Sequence, residues 1–154
     1  DRLWRPGSYL PFDQGTANEC IKCECNDHAL SCSYNATYGR GICESCLHNT
    51  RGYHCELCTL TYYPNVSLPL NDVNICVECD CDMLGVSNNS MVCAQTESST
   101  ETIGQCLCKT LITGRRCDLC IPGYYGFQNG PTPGNCTACN CNLDGTLGQN
   151  NTCN

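Results

Sequence analysis

The sequence contains few of the residues from which globular proteins build a core. Leu, Ile, Val and Phe together number 27 of 154 residues, and there is one tryptophan. A chain this poor in large apolar side chains approaches the composition of disordered proteins, which excludes a single large hydrophobic core. No apolar run reaches the roughly 20 residues that span a membrane, and no useful window has the periodicity of an amphipathic helix. Something other than buried hydrocarbon must hold this chain together.

Basic residues are scarce as well. Eight Lys and Arg face fifteen Asp and Glu, which gives a formal net charge of −7. Such a balance argues against nucleic acid or heparin as the main partner. The only adjacent basic pair is Arg115-Arg116, which we interpret as a solvated turn.

Cysteine is abundant, at 20 residues. Cross-links can replace the core that small domains lack, and disulfides persist only in oxidising compartments. Five Asn-X-Ser/Thr sequons agree with a secretory route. They begin at Asn35, Asn65, Asn88, Asn135 and Asn150. We therefore predict a secreted glycoprotein, in which Asn135 is the least favourable acceptor because a cysteine occupies the middle of its sequon.

The cysteines follow a repeating register. A Cys-X-Cys pair opens two units of eight cysteines, at Cys23 and at Cys79. Both units place a glycine three residues before the sixth cysteine and a Tyr-Tyr pair four residues after the seventh. These landmarks are Gly52 and Gly114, and Tyr62-Tyr63 and Tyr124-Tyr125. A repeat of about 60 residues indicates an array of modules, with short strand pairs predicted at Tyr124-Tyr125 and within residues 104–108.

The register divides the chain into four segments. Two-residue spacers separate Cys20 from Cys23, Cys76 from Cys79 and Cys136 from Cys139. Residues 1–22 are predicted to end one module, 23–78 and 79–138 to be complete modules, and 139–154 to begin another. The chain is then a fragment without a signal peptide, and Cys20 and Cys141 are expected to pair with cysteines outside it. The short spacers predict a near-fixed angle between neighbouring modules.

The order Cys-X-Cys, Gly-X-X-Cys-X-X-Cys and Gly-Tyr-Tyr-Gly resembles the laminin-type EGF-like module of laminin short arms, netrins and usherin. The resemblance covers essentially all 154 residues. Segments such as Trp4-Arg5-Pro6 and His48-Asn-Thr50-Arg-Gly52 are most similar to the modules that follow the N-terminal globular domain of a laminin, with β-type chains nearest. The resemblance implies a small disulfide-rich fold, in which tandem modules form a rod of loops, turns and short β-hairpins.

The resemblance also implies a disulfide pairing, which spacing alone cannot choose among 105 arrangements of eight cysteines. The pairs it implies are Cys23–Cys32, Cys25–Cys43, Cys46–Cys55, Cys58–Cys76, Cys79–Cys93, Cys81–Cys106, Cys108–Cys117, Cys120–Cys136 and Cys139–Cys153. The first module departs from the pattern at Thr61 and Pro64, which replace the glycines found at 123 and 126. Its final loop is therefore expected to turn differently.

The function that the resemblance implies is structural. We expect a semi-rigid spacer of a basement-membrane glycoprotein, which supports matrix assembly and cell adhesion. Other matrix proteins or laminin chains would bind through the parent molecule. The alternative is a specific binding module, because some laminin modules dock nidogen through an Asn-X-Asp-X-Asn loop. No such sequence lies between Cys79 and Cys93. Asn71-Asp-Val-Asn74 is only weakly similar to it and lies in a different loop.

Other patterns favour structural interpretations. Six Cys-X-X-Cys pairs have zinc-ligand spacing, but three of them are module junctions. A catalytic Cys–His pair needs a free thiolate, and the register leaves no unassigned cysteine for His28, His48 or His54. Asp80 and Asp82 supply too few oxygens to bind calcium. We therefore expect no cofactor, no metal, no small-molecule substrate and no enzymatic activity. One ring of each tyrosine pair is expected to pack and the other to be exposed.

Overall fold

The computed structural model describes residues 21–142, 144 and 153, together with the backbone of Ser8–Tyr9. In these parts of the chain the regular structure is twelve short β-strands and one 3-10 helical turn, Ser87–Asn89. The strands are β1 (Ser8–Tyr9), β2 (Ile21–Lys22), β3 (Ser31–Asn35), β4 (Arg40–Glu44), β5 (Thr50–Arg51), β6 (Leu57–Cys58), β7 (Tyr62–Pro64), β8 (Cys76–Glu78), β9 (Ile112–Thr113), β10 (Leu119–Cys120), β11 (Tyr124–Tyr125) and β12 (Thr137–Ala138).

The strands form six separate two-stranded sheets, which pair β1 with β2, β3 with β4, β5 with β6, β7 with β8, β9 with β10, and β11 with β12. The longest pair, β3–β4, places Cys32 opposite Cys43 and closes at Asn35 opposite Arg40. Residues 36–39 make the connecting turn, which Gly39 completes at a φ of 71°. A lone hairpin is only marginally stable in water, so these hairpins depend on the cross-links around them.

The chain divides into two compact units, residues 1–77 and 78–154. Cysteines make up most of the buried apolar residues in both. In the first unit Ile75 packs with Cys58 and Cys76, and Tyr62 and Leu68 pack against them. In the second unit the buried apolar residues other than cysteine are Val86, Ile112 and Phe127.

The predicted fold class is confirmed, since nine disulfides, short antiparallel hairpins and many turns account for the described residues. The strand pair expected at Tyr124-Tyr125 is β11–β12. Residues 104–108 contribute only isolated bridges, Cys106 to Cys93 and Cys108 to Val86. The β3–β4 hairpin was not predicted.

Candidate functional site

Four disulfides close four loops in each module, of which the first two overlap. The structure joins all nine cysteine pairs that the resemblance implies, from Cys23–Cys32 to Cys139–Cys153. Their Cα–Cα distances run from 5.1 to 6.5 Å, within the usual range for disulfides. Cys20 lies outside the described residues. Cys141 is half-buried, and its partner outside this chain stays a prediction.

The third disulfide loop of each module depends on the glycine three residues before its second cysteine. Gly52 and Gly114 have φ values of 101° and 92°, a region that only glycine adopts readily. The turn then places the N–H of Cys55 3.4 Å from the Gly52 carbonyl, and that of Cys117 3.1 Å from the Gly114 carbonyl. The Gly-X-X-Cys landmark is therefore a backbone requirement of this loop.

The two-residue spacers between modules are β-strands. Thr137-Ala138 forms β12 and pairs with Tyr124–Tyr125 of the same module. The amide of Cys139, the first cysteine of the next predicted module, donates to the Gly123 carbonyl at 2.9 Å. Ile21–Lys22 and Cys76–Glu78 likewise pair with β1 and β7. Each spacer is thus part of the hairpin that ends the preceding predicted module.

The sequons differ in their surroundings. Asn35 and Asn65 are half-buried, and each side-chain oxygen accepts a backbone N–H, from Tyr38 at 2.9 Å and from Ser67 at 3.1 Å. Asn88 and Asn135 are exposed. The Asn150 sequon lies outside the described residues. Glycosylation of all five stays a prediction.

The three histidines contact each other or backbone carbonyls. His28 is fully buried, and its imidazole contacts His48 and the Leu70 carbonyl. His54 instead lies with its Nδ1 3.1 Å from the Glu24 carbonyl. Within residues 21–142 and at 144 and 153, no three His, Cys, Asp or Glu side chains are grouped as metal ligands would be. Nor does any helix in the described part of the chain have the length and apolarity to cross a membrane.

The acidic residues also serve local structure. Asp80 pairs with Arg116 at 3.2 Å across an exposed surface, and the Asp82 side chain accepts the Leu84 N–H at 2.9 Å. The Asn71–Asn74 segment also makes local hydrogen bonds. Asn71 donates to the Asp27 carboxylate at 3.3 Å, and Asp72 accepts the amide of Asn74 at 2.8 Å.

Each tyrosine pair was expected to have one packed ring and one exposed ring, and only the second module follows this prediction. In the second module Tyr124 is half-buried and Tyr125 is exposed. In the first module both Tyr62 and Tyr63 are half-buried. The difference accompanies Pro64, which continues β7, whereas Gly126 turns at a φ of 92° and accepts the Gly130 N–H.

Comparison with known families agrees with this architecture. Residues 79–136 match the laminin EGF domain, and residues 23–71 match the laminin/attractin EGF domain. The two modules are laminin-type EGF domains. Because such domains belong to extracellular proteins, the chain is secreted and extracellular.

Known proteins are similar to most of this chain. Netrin-G1 of Mus musculus is 47% identical over 82% of this chain and 24% of its own length. Laminin subunit beta-1 of Drosophila melanogaster is 39% identical over 96% of this chain and 8% of its own length. Usherin of Homo sapiens is 38% identical over 93% of this chain and 3% of its own length. The chain thus spans about a quarter or less of the length of these relatives.

Proposed function

We propose that the chain is a semi-rigid spacer in an extracellular matrix glycoprotein of the laminin type, where it supports basement-membrane assembly and cell adhesion. Other matrix proteins or laminin chains are then bound by the parent molecule, and this segment sets the distance between its domains. We assign it no catalytic role. The complete modules of this proposal are residues 23–78 and 79–138, between parts of two others.

The observation that supports the proposal is the structure of the two-residue spacers between modules. A flexible linker has backbone groups that hydrogen-bond only to water, and its dihedral angles are free. Here Thr137-Ala138 pairs with Tyr124–Tyr125, and the next cysteine donates to the Gly123 carbonyl. The spacer also begins and ends next to cross-linked residues, Cys136 and Cys139. Few dihedral angles remain that could act as a hinge.

Spin labels on the two modules would test the proposal. We expect a narrow inter-module distance distribution and an elongated particle in small-angle scattering. Insertion of Gly-Gly-Ser-Gly between Val77 and Glu78 should broaden the distribution. The same insertion between Ser99 and Thr100, in an exposed loop of the second module, is the matched control and should leave it unchanged. A compact particle, or equal widths for all three chains, would contradict the spacer function.

A further inference from the structure

His28 joins three segments of the first module. Its side chain is fully buried. The Nε2 atom lies 2.6 Å from the Leu70 carbonyl oxygen, and Nδ1 lies 2.8 Å from the Nδ1 of His48. Its backbone carbonyl accepts the Leu47 N–H at 2.7 Å. The first disulfide loop, the turn that carries His48 and the last disulfide loop therefore meet at one imidazole.

The hydrogen-bond partners determine which ring nitrogens of His28 and His48 carry hydrogens. A carbonyl oxygen only accepts, so the Nε2 of His28 must carry a hydrogen. The Nδ1–Nδ1 contact then needs one hydrogen between the two nitrogens. When both rings are neutral, His48 donates it. One added proton is accommodated as well, because a cationic ring donates to the remaining neutral one.

A second added proton cannot be accommodated. Both Nδ1 atoms would then carry hydrogens that face each other across 2.8 Å, and two like charges would share a site beside a fully buried ring. We propose that His28 and His48 form an acid-sensitive latch, in which uptake of a second proton separates the two rings and releases the Leu70 segment from the first disulfide loop.

The three segments carry four charged groups. They are Glu24 and Asp27 on the first loop, Arg51 after the turn and Asp72 on the last loop. Asp27 and Asp72 accept from Asn71 and Asn74, and Arg51 donates to the Cys58 carbonyl. No ion pair in the described part of the chain joins a carboxylate to either imidazole.

The direction of the pH effect follows from the proton count. Below the range in which free imidazole titrates, the opened pair binds two protons and the closed pair binds one. The closed state therefore loses stability as the pH falls, by at most about tenfold in the opening equilibrium per pH unit. The second module has no histidine. There, Leu84 of the first disulfide loop and Gly134 of the last loop lie close together, and neither side chain can titrate.

Two equivalent amides provide the test on the intact chain. The Leu47 N–H donates to the His28 carbonyl, and the Lys109 N–H donates to the Gly85 carbonyl in the second module. Between pH 7.5 and 5.0 we expect the exchange protection of Leu47, corrected for intrinsic exchange, to fall about tenfold. Protection of Lys109 should change less than twofold. Equal changes at both amides, or none at Leu47, would overturn the latch.

A variant separates the pair from other acid effects. His48→Asn removes one imidazole but keeps a residue that tolerates the positive φ of 57° at this position, and it should abolish the pH-dependent loss at Leu47. His54→Gln is the control and should retain the loss. If His48→Asn still showed it, the proposal would be wrong.

Ring-nitrogen NMR of the unmodified chain gives a second readout, which does not depend on folding of a variant. At neutral pH we expect Nε2–H on His28 and Nδ1–H on His48. As the pH falls, the closed pair should take up one proton. Uptake of two protons with unchanged protection of Leu47 would contradict the latch.

Discussion

His54 and Arg116 occupy the same position in successive modules and make the same contact. Each immediately precedes the sixth cysteine of its module. The His54 Nδ1 lies 3.1 Å from the Glu24 carbonyl, and the Arg116 Nε lies 2.9 Å from the Asp80 carbonyl. Because a carbonyl only accepts, both side chains are donors. Each tethers the third disulfide loop to the residue between the first two cysteines.

This tether can be weakened in the second module. Arg116→Ala removes the bond to the Asp80 carbonyl and an exposed ion pair, so we expect a loss of about 1 kcal/mol, of which the ion pair supplies little. Arg116→His should recover part of the loss, because histidine makes this contact at position 54. Exchange of the Asp82 amide, which donates to the Arg116 carbonyl at 2.7 Å, reports the opening.

The control for this prediction is Asp118→Asn. The Asp118 carboxylate is 4.0 Å from the Arg116 guanidinium, too far for a hydrogen bond, and we expect no measurable change. If Asp118→Asn and Arg116→Ala had equal effects, surface charge and not the tether would be responsible.

A left-handed residue in the second module offers a way to stabilise it. Leu111 has a φ of 68°, and the corresponding residue of the first module, Asn49, has a φ of 60°. Both carbonyls accept an equivalent amide, from Ile121 and Thr59. Leucine is strained in this region and asparagine is tolerated. We expect Leu111→Asn to stabilise its module by about 1 kcal/mol, and Asn49→Leu to destabilise the first module by a similar amount.

The free energy of opening, measured from exchange of the Cys117 and Cys55 amides, would check both changes. Leu107→Asn is the control, since Leu107 is exposed and lies outside the left-handed region. Stabilisation by Leu107→Asn of the same size would mean that lost surface hydrophobicity, and not backbone conformation, is the cause.

Gly85 lies where two backbone segments of the second module approach each other closely. A Cβ atom at this position would lie 1.7 Å from the Cys117 carbonyl oxygen. Two backbones meet there, so no flexible side chain can move aside. We expect Gly85→Ala to cost more than about 3 kcal/mol, as overpacking of a close-packed site does. Mass spectrometry of linked peptides after oxidative refolding should show a lower yield of the Cys108–Cys117 bond.

Gly39→Ala is the matched control for Gly85→Ala. A Cβ at Gly39 meets nothing within 4 Å, and only the φ of 71° opposes it, at about 1 kcal/mol. Refolding yield should stay near that of the unmodified chain. An equal fall in yield for both variants would remove the argument for a tight approach at Gly85.

The module register could be predicted from sequence because its signals are local, whereas the disulfide pairing came only from the resemblance to a family. Cysteine spacing and the glycine before Cys55 or Cys117 lie within a few residues of the structure they specify. The burial of His28 could not be predicted, because its partner Leu70 is 42 residues away and nothing beside either residue indicates the contact. The same holds for Gly85, whose constraint comes from Cys117.

The β3–β4 hairpin was missed for a different reason. Ser31–Asn35 contains no aliphatic residue, and its polar–apolar alternation depends on Cys32 and Tyr34 alone. A second sequence signal was the turn, where Asn35 accepts the Tyr38 amide and Gly39 adopts a positive φ. A search for Asn-X-X-X-Gly turns between cysteines would have found it.

We predict that disulfide formation limits glycosylation at the Asn135 sequon. Its middle residue, Cys136, is bonded to Cys120, and Thr137 lies in β12 opposite Tyr125. An acceptor sequon must be flexible enough to enter the transferase, and this one is held by a cross-link and a strand once folded. We predict that Asn135 is less occupied than Asn88, which is also exposed but lies in a turn without a cross-linked neighbour.

Glycopeptide mass spectrometry of the secreted chain would measure both sites. The double variant Cys120→Ser/Cys136→Ser should raise occupancy at Asn135, because the sequon then stays open for longer. Cys46→Ser/Cys55→Ser removes a disulfide from the other module and should leave Asn135 unchanged, which separates this effect from slow folding in general. High occupancy of Asn135 in the unmodified chain would show that the glycan is attached before Cys136 is cross-linked, and that the disulfide does not control it.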